Sequence, residues 1–137
     1  MRLWHYKLIP YLPDKMLISE WRELIAIKRQ WEKGTLKHRL VSYVMDYNKE
    51  YFYYYTYLVT EEMRERKINY QHKYYDEIQE FCVSDEYCYP CPIYPEHHNR
   101  YLRQCYYNLQ EKYDRGIITE EEWSKINNFK EDTLWKI

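Results

Sequence analysis

Two glycines in 137 residues, Gly34 and Gly116, give this chain very few positions where left-handed backbone is free of strain, and each closes a stretch with helical spacing. Upstream of Gly34, Pro13 and Asp14 begin a run in which Leu17, Trp21, Leu24, Ile25 and Trp31 recur in helical register, so a helix is predicted there. A second helix is predicted from about Asn48, with Phe52, Tyr55, Val59 and Met63 on one face, ending in the charged run EEMRERK. Leu102, Tyr106, Leu109 and Tyr113 predict a third helix that stops at Gly116, and Thr119 followed by Glu120, Glu121 and Glu122 reads as a capping box opening a short fourth one through about Lys130. Between Ile68 and Glu96 the period is lost and the run CYPCPIYP forbids regular helix, which predicts a long irregular loop before the third helix. The expected fold is all-α: one compact domain over 1–137, three main helices plus a short C-terminal helix.

No apolar run approaches the roughly 18 to 20 residues of a membrane span, and the first residues, MRLWHYKLIPYLP, lack the clean apolar core of a signal peptide. A cytoplasmic, non-membrane protein is expected, with its four cysteines reduced. The net charge of −1 says little, because the charge is uneven: six Lys/Arg between Arg22 and Arg39 face only Glu23 and Glu32, whereas seven acidic residues face four basic ones between Glu111 and Asp132. Such a basic stretch permits a local phosphate-binding face without requiring one. Nineteen tyrosines fit either an AT-rich coding bias or aromatic surfaces that stack on bases.

With two glycines, both common Gly-rich phosphate loops are excluded, and no G-x-S-x-G or H-E-x-x-H occurs. Two constellations remain. In ISEWRELIAIK, Leu17, Trp21, Leu24 and Ile25 form an apolar stripe while Ser19, Arg22, Glu23 and Ala26 fall opposite, a small and polar face that is either the border of a cleft or plain solvated surface. The other comprises Cys82, Cys88, Cys91 and Cys105 with His97 and His98. Cys88-Tyr-Pro-Cys91 has the two-residue gap of a zinc knuckle, but no second C-x-x-C follows, and Cys105 sits within a predicted helix as a small buried residue.

MRLW at the start and LISEWREL in the first helix resemble the pyrimidine dimer DNA glycosylase family, whose pattern is a helix carrying Glu, an aromatic, then Arg-Glu-Leu. The longer runs MRLWHYKLIPYLP and CPIYPEHHNRYL resemble a bacterial branch grouped with it. The resemblance implies a glycosylase that removes one base of a cyclobutane dimer or a related lesion in double-stranded DNA and then, as an AP lyase, cleaves the strand, without metal or cofactor. It implies that an N-terminal α-amine is the nucleophile and a first-helix glutamate the acid/base group. An α-amine with a pKa near 7.7 to 8.0 is about a tenth neutral at pH 7, far more than an ordinary lysine.

Carried over, Glu23 matches the carboxylate, Arg22 its phosphate-holding neighbour, and Arg2 the basic residue after the nucleophile. The family's terminal threonine is absent, and Arg2 is too large for ordinary methionine trimming, so Met1 is expected to present its own amine. Where the family has a basic residue one turn after Arg22, Ala26 stands here, with Lys28 and Arg29 as substitutes, and the aromatic, basic C-terminal end is reduced to Trp135 and Lys136. His5 lies close enough to the terminus to serve the same site. The N-terminal segment is expected to thread between the helices, bringing its amine to Glu23 in a monomer. The rival readings are a helical nucleic-acid-binding or scaffolding protein that kept this fold without the chemistry, and a zinc-stabilised module built on the Cys82 to His98 stretch.

Overall fold

Asp14 opens the first helix behind Pro13, where a missing N–H costs nothing, and puts a carboxylate in the first turn, while Arg29 stands in the last. In the computed structural model, which describes residues 1–83 and 92–133, this is α1 (Asp14–Glu32). It is followed by α2 (Lys49–Glu65), α3 (His72–Cys82), α4 (Asn99–Asp114) and α5 (Glu120–Thr133), with short 3₁₀ helices at Tyr6–Tyr11 and Ser42–Asp46. The described residues are all helix, turn and coil, as expected, and among them no helix is long and apolar enough to cross a membrane. Cys88, Cys91, Trp135 and Lys136 lie outside the described residues.

Side-chain caps stand at the starts of α2 and α5, the second being the capping box read from Thr119 and Glu122. Asn48 accepts from the Glu50 N–H at 3.0 Å at the start of α2, and Thr119 and Glu122 exchange reciprocal bonds of 2.9 and 3.2 Å ahead of α5, which runs longer than its sequence pattern indicated. At Gly34 (φ 72°) and Gly116 (φ 78°) the chain turns left-handed, and the next two N–H groups reach back to the last turn: Gly34 to Trp31 and Thr35 to Gln30, Gly116 to Tyr113 and Ile117 to Lys112. The same motif ends α2 at Lys67, a non-glycine residue at φ 59°, with Lys67 bonded to Arg64 and Ile68 to Met63.

The expected loop from Ile68 to Glu96 is corrected in its first part, which holds α3. Its core-facing side is thin, with only Ile78 and Cys82 buried and Tyr74, Tyr75 and Phe81 half-buried, so the apolar signal is spread over tyrosines. Docking stabilises it: Phe81 meets Trp31 of α1 edge-on at 5.3 Å, and Tyr75 shares a 2.7 Å hydroxyl contact with Tyr53 of α2.

The buried residues form two clusters. One joins α1, α2 and α3 through Leu17, Leu24, Ile27, Phe52, Val59 and Ile78; the other joins α4 and α5 through Leu102, Tyr106, Leu109, Ile126 and Phe129. The first dozen residues lie between them: Leu3 and Ile9 enter the first cluster, Trp4, Leu8 and Leu12 the second. These five side chains are all nearly or fully buried, and at roughly 1.5 to 3 kcal/mol each they anchor the N-terminal segment as an inner layer of the fold. Arg66, just past α2, fastens the far end of this layer, donating to the carbonyls of Leu12 (2.6 Å) and Pro10 (3.0 Å), to Asp14 (2.9 Å) and to Glu62 (2.8 Å).

Candidate active site

Because Leu3 and Trp4 are drawn into opposite clusters, the backbone between them runs alongside the helices with its carbonyls needing donors. Two tyrosines supply them. Tyr101 of α4 donates to the Leu3 carbonyl, and Tyr55 of α2 reaches the Trp4 carbonyl at 2.7 Å. Tyr55 also meets Glu20 Oε1 at 3.0 Å, so a short row of oxygens connects the N-terminal segment to α1.

Glu20 stands on the buried stripe of α1 with Leu17, Trp21 and Leu24, fully enclosed, and Glu23 follows one turn later at the edge of that stripe, half-buried. Burial, then the charge of Glu23, pushes the Glu20 carboxyl well above the usual carboxylate range. Its Oε2 is buried without a hydrogen-bond partner. A tyrosine hydroxyl has one proton, and the Trp4 carbonyl can only accept. If Tyr55 donates to Trp4, Glu20 must donate to Tyr55, which requires a neutral carboxylic acid. The other arrangement has Tyr55 donating to Glu20 Oε1 at 3.0 Å, and burial favours the neutral carboxyl in either.

The residues expected at the site take different places in the fold. Met1 is 36% exposed, two residues ahead of the buried Leu3. Arg2 is half-buried, with its guanidinium over the Trp4 ring at 5.3 Å, and Arg22 is exposed to solvent beside Glu23. Lys28 and Arg29 lie on the α3 side of α1, away from Glu23. Lys28 is 8% exposed and pairs with Glu32 at 3.1 Å, and Arg29 covers the ring of Tyr74 at 5.2 Å. His5 is buried with both ring nitrogens committed: Nδ1 accepts from the Lys7 N–H at 3.1 Å and Nε2 donates to the His97 carbonyl at 2.9 Å. Both ring nitrogens of His5 are thus occupied, and the Lys28 ammonium is paired with Glu32.

His97 is held in the same way. Its Nδ1 accepts from the Tyr6 N–H at 3.2 Å, so Nε2 carries the proton and donates to the Tyr43 hydroxyl at 2.9 Å. Burial lowers the pKa of His5 to about 4 and that of His97 to about 3. His98 caps α4 by accepting from the Tyr101 N–H at 3.2 Å. Cys82 and Cys105 are buried free thiols, Cys105 in mid-helix as its position indicated, and among the described residues no group of three His, Cys, Asp or Glu could hold a metal ion.

Glu20 and Tyr55, which the structure joins beside Glu23, were not among the expected site residues. The available signal was a carboxylate on an otherwise apolar stripe, Leu17-x-x-Glu20-Trp21-x-x-Leu24, where an ionised group would be costly.

A sequence profile described as pyrimidine dimer DNA glycosylase matches residues 1–76, which take in the inserted N-terminal segment, α1 with Glu20 and Glu23, and α2 with Tyr55. No curated protein and no solved structure matches the chain. With more than half of its length inside that match, and with the N-terminal segment joined through Tyr55 to Glu20 of α1, this chain belongs to the pyrimidine dimer DNA glycosylase family.

Proposed function

We propose that the chain is a base-excision repair glycosylase with AP lyase activity, acting on cyclobutane pyrimidine dimers or a related base lesion in double-stranded DNA. The observation that carries this reading is the insertion of residues 3–12 between the two helical clusters, with Trp4 joined through Tyr55 to Glu20, one turn from Glu23. A segment anchored from Leu3 onward supports use of the amine two residues before it, because a nucleophile acts only from a defined position and about 1 Å of error can cost a hundredfold in rate.

In the proposed reaction the neutral Met1 amine attacks the sugar C1′, the C1′–N bond to the base breaks, and the departing base takes a proton. Glu23, as a carboxylate, stabilises the positive charge that builds on the sugar. Loss of the amine's remaining protons and opening of the ring give an imine at C1′. Glu23 then takes a proton from C2′, the freed electron pair forms a double bond conjugated with the imine, and the C3′–O bond breaks to release the phosphate. Arg22, exposed beside Glu23, and Arg2 hold flanking phosphates, and Arg29 reaches DNA only by leaving the Tyr74 ring. His5 and Lys28 serve the site through packing.

Borohydride trapping on oligonucleotides carrying an abasic site or a cyclobutane dimer, with the free and the N-acetylated chain, tests this directly. A covalent adduct that disappears on acetylation is expected. Absence of an adduct on both substrates overturns the amine mechanism.

A further inference from the structure

Burying Leu3 does not by itself place the amine, because the soft backbone torsions of Met1, Arg2 and Leu3 lie between the two. Two residues of extended chain reach about 7 Å, so a rotation of about 10° at Leu3 moves the amine by about 1 Å. What opposes such a rotation is a second hold on Leu3. Its side chain is buried in the cluster of α1, α2 and α3, while Tyr101, in the first turn of α4, donates to its carbonyl. One residue on, the grip is divided, since Tyr55 has a single proton for the Trp4 carbonyl at 2.7 Å and Glu20 Oε1 at 3.0 Å.

Tyr101 is itself well placed to hold. Its N–H donates to His98 at 3.2 Å, and its ring lies 5.2 Å from that of His97 and 6.2 Å from that of His5, centroid to centroid. His97 in turn accepts from the Tyr6 N–H at 3.2 Å, and its carbonyl accepts from His5 Nε2 at 2.9 Å. Residues 97–101 therefore grip Leu3, His5 and Tyr6 together, and they lie beyond residues 1–76, where the family profile ends. Burial raises the pKa of the Tyr101 hydroxyl, which keeps it a donor. We propose that Tyr101 is a positioning residue for the Met1 amine: by holding the Leu3 carbonyl from α4 it sets the direction in which the first two residues project, and with it the rate of attack at C1′. The inference rests on the amine reading above.

The test compares the native chain with Tyr101→Phe and with Tyr107→Phe, a control whose side chain is on the same helix and 56% exposed. Three quantities are measured on each: the ¹⁵N order parameter of the Leu3 amide, the affinity for a duplex carrying a tetrahydrofuran abasic analogue, which has no aldehyde to form an imine, and the single-turnover rate of borohydride trapping on an abasic duplex. The native Leu3 amide is expected near the rigid value of about 0.85, falling toward about 0.6 in Tyr101→Phe. Affinity should stay within about twofold while trapping slows by about tenfold to a hundredfold, and Tyr107→Phe should match the native chain throughout. A hydroxyl that served stability alone would leave the trapping rate of the folded protein unchanged. The inference is overturned if the native Leu3 amide is already mobile, if Tyr101→Phe traps as fast as the native chain, or if affinity and trapping fall by the same factor. A native chain that forms no adduct refutes the amine reading, and the order parameters then show separately whether Tyr101 holds Leu3. Should Tyr101→Phe fail to fold, the order of the native Leu3 amide decides alone.

Discussion

The His97 ring makes stability sensitive to mild acid in a way that can be worked out from its contacts. Nδ1 accepts from the Tyr6 N–H and Nε2 donates to Tyr43, so an added proton must go on Nδ1, against an N–H group. The folded pKa is lowered to about 3 against 6.5 for a free histidine. A base whose folded pKa is depressed stabilises the fold fully above the unfolded pKa, and that contribution is lost as pH falls toward the folded value, because the unfolded chain binds the proton first. Between pH 7 and pH 5, at about 1.4 kcal/mol per unit below 6.5, His97 alone gives up about 2 kcal/mol. Glu20 works in the opposite direction, since a carboxyl that is neutral in the fold and ionised when unfolded gains stability as pH falls, and this flattens the curve of the whole protein. The assay is therefore a difference: urea unfolding of the native chain and His97→Asn from pH 7 to pH 5. The substitution is expected to cost about 1 to 3 kcal/mol at pH 7 through lost hydrogen bonds, with the gap narrowing by about 2 kcal/mol at pH 5. A gap that stays constant with pH would refute the buried, neutral state of His97.

Lys67→Gly should stabilise the fold by about 1 kcal/mol in the same unfolding assay, because a lysine at φ 59° bears a left-handed cost that glycine avoids. Arg66→Ala should cost about 2 to 4 kcal/mol by thermal or urea unfolding, since it removes the donor to the Leu12 and Pro10 carbonyls and leaves a largely buried Glu62 without its cation. A loss below about 0.5 kcal/mol would show that the N-terminal layer is held by its apolar side chains alone.

The caps, the stops and the apolar faces of α1, α2, α4 and α5 were legible in the sequence because each is a local event, fixed by the hydrogen-bonding and steric character of a few neighbouring residues such as Asn48, Thr119 and the two glycines. The Glu-aromatic-Arg-Glu-Leu pattern and the opening MRLW were legible in the same way, and they pointed to the family that the profile match establishes. The α3 helix was hidden because its apolar face is made of half-buried tyrosines and one phenylalanine, whose partners lie on α1 and α2. Tertiary structure also decided the fate of His5 and Lys28: each lies close in sequence to the expected site, yet His5 bonds to the His97 carbonyl, ninety-two residues away, and Lys28 turns toward α3. The same holds for Glu20. Burial in the core, and then the charge of Glu23, push its carboxyl up against the opposing hydrogen bond from Tyr55 of α2, and desolvation of that kind arises only when distant segments exclude water together.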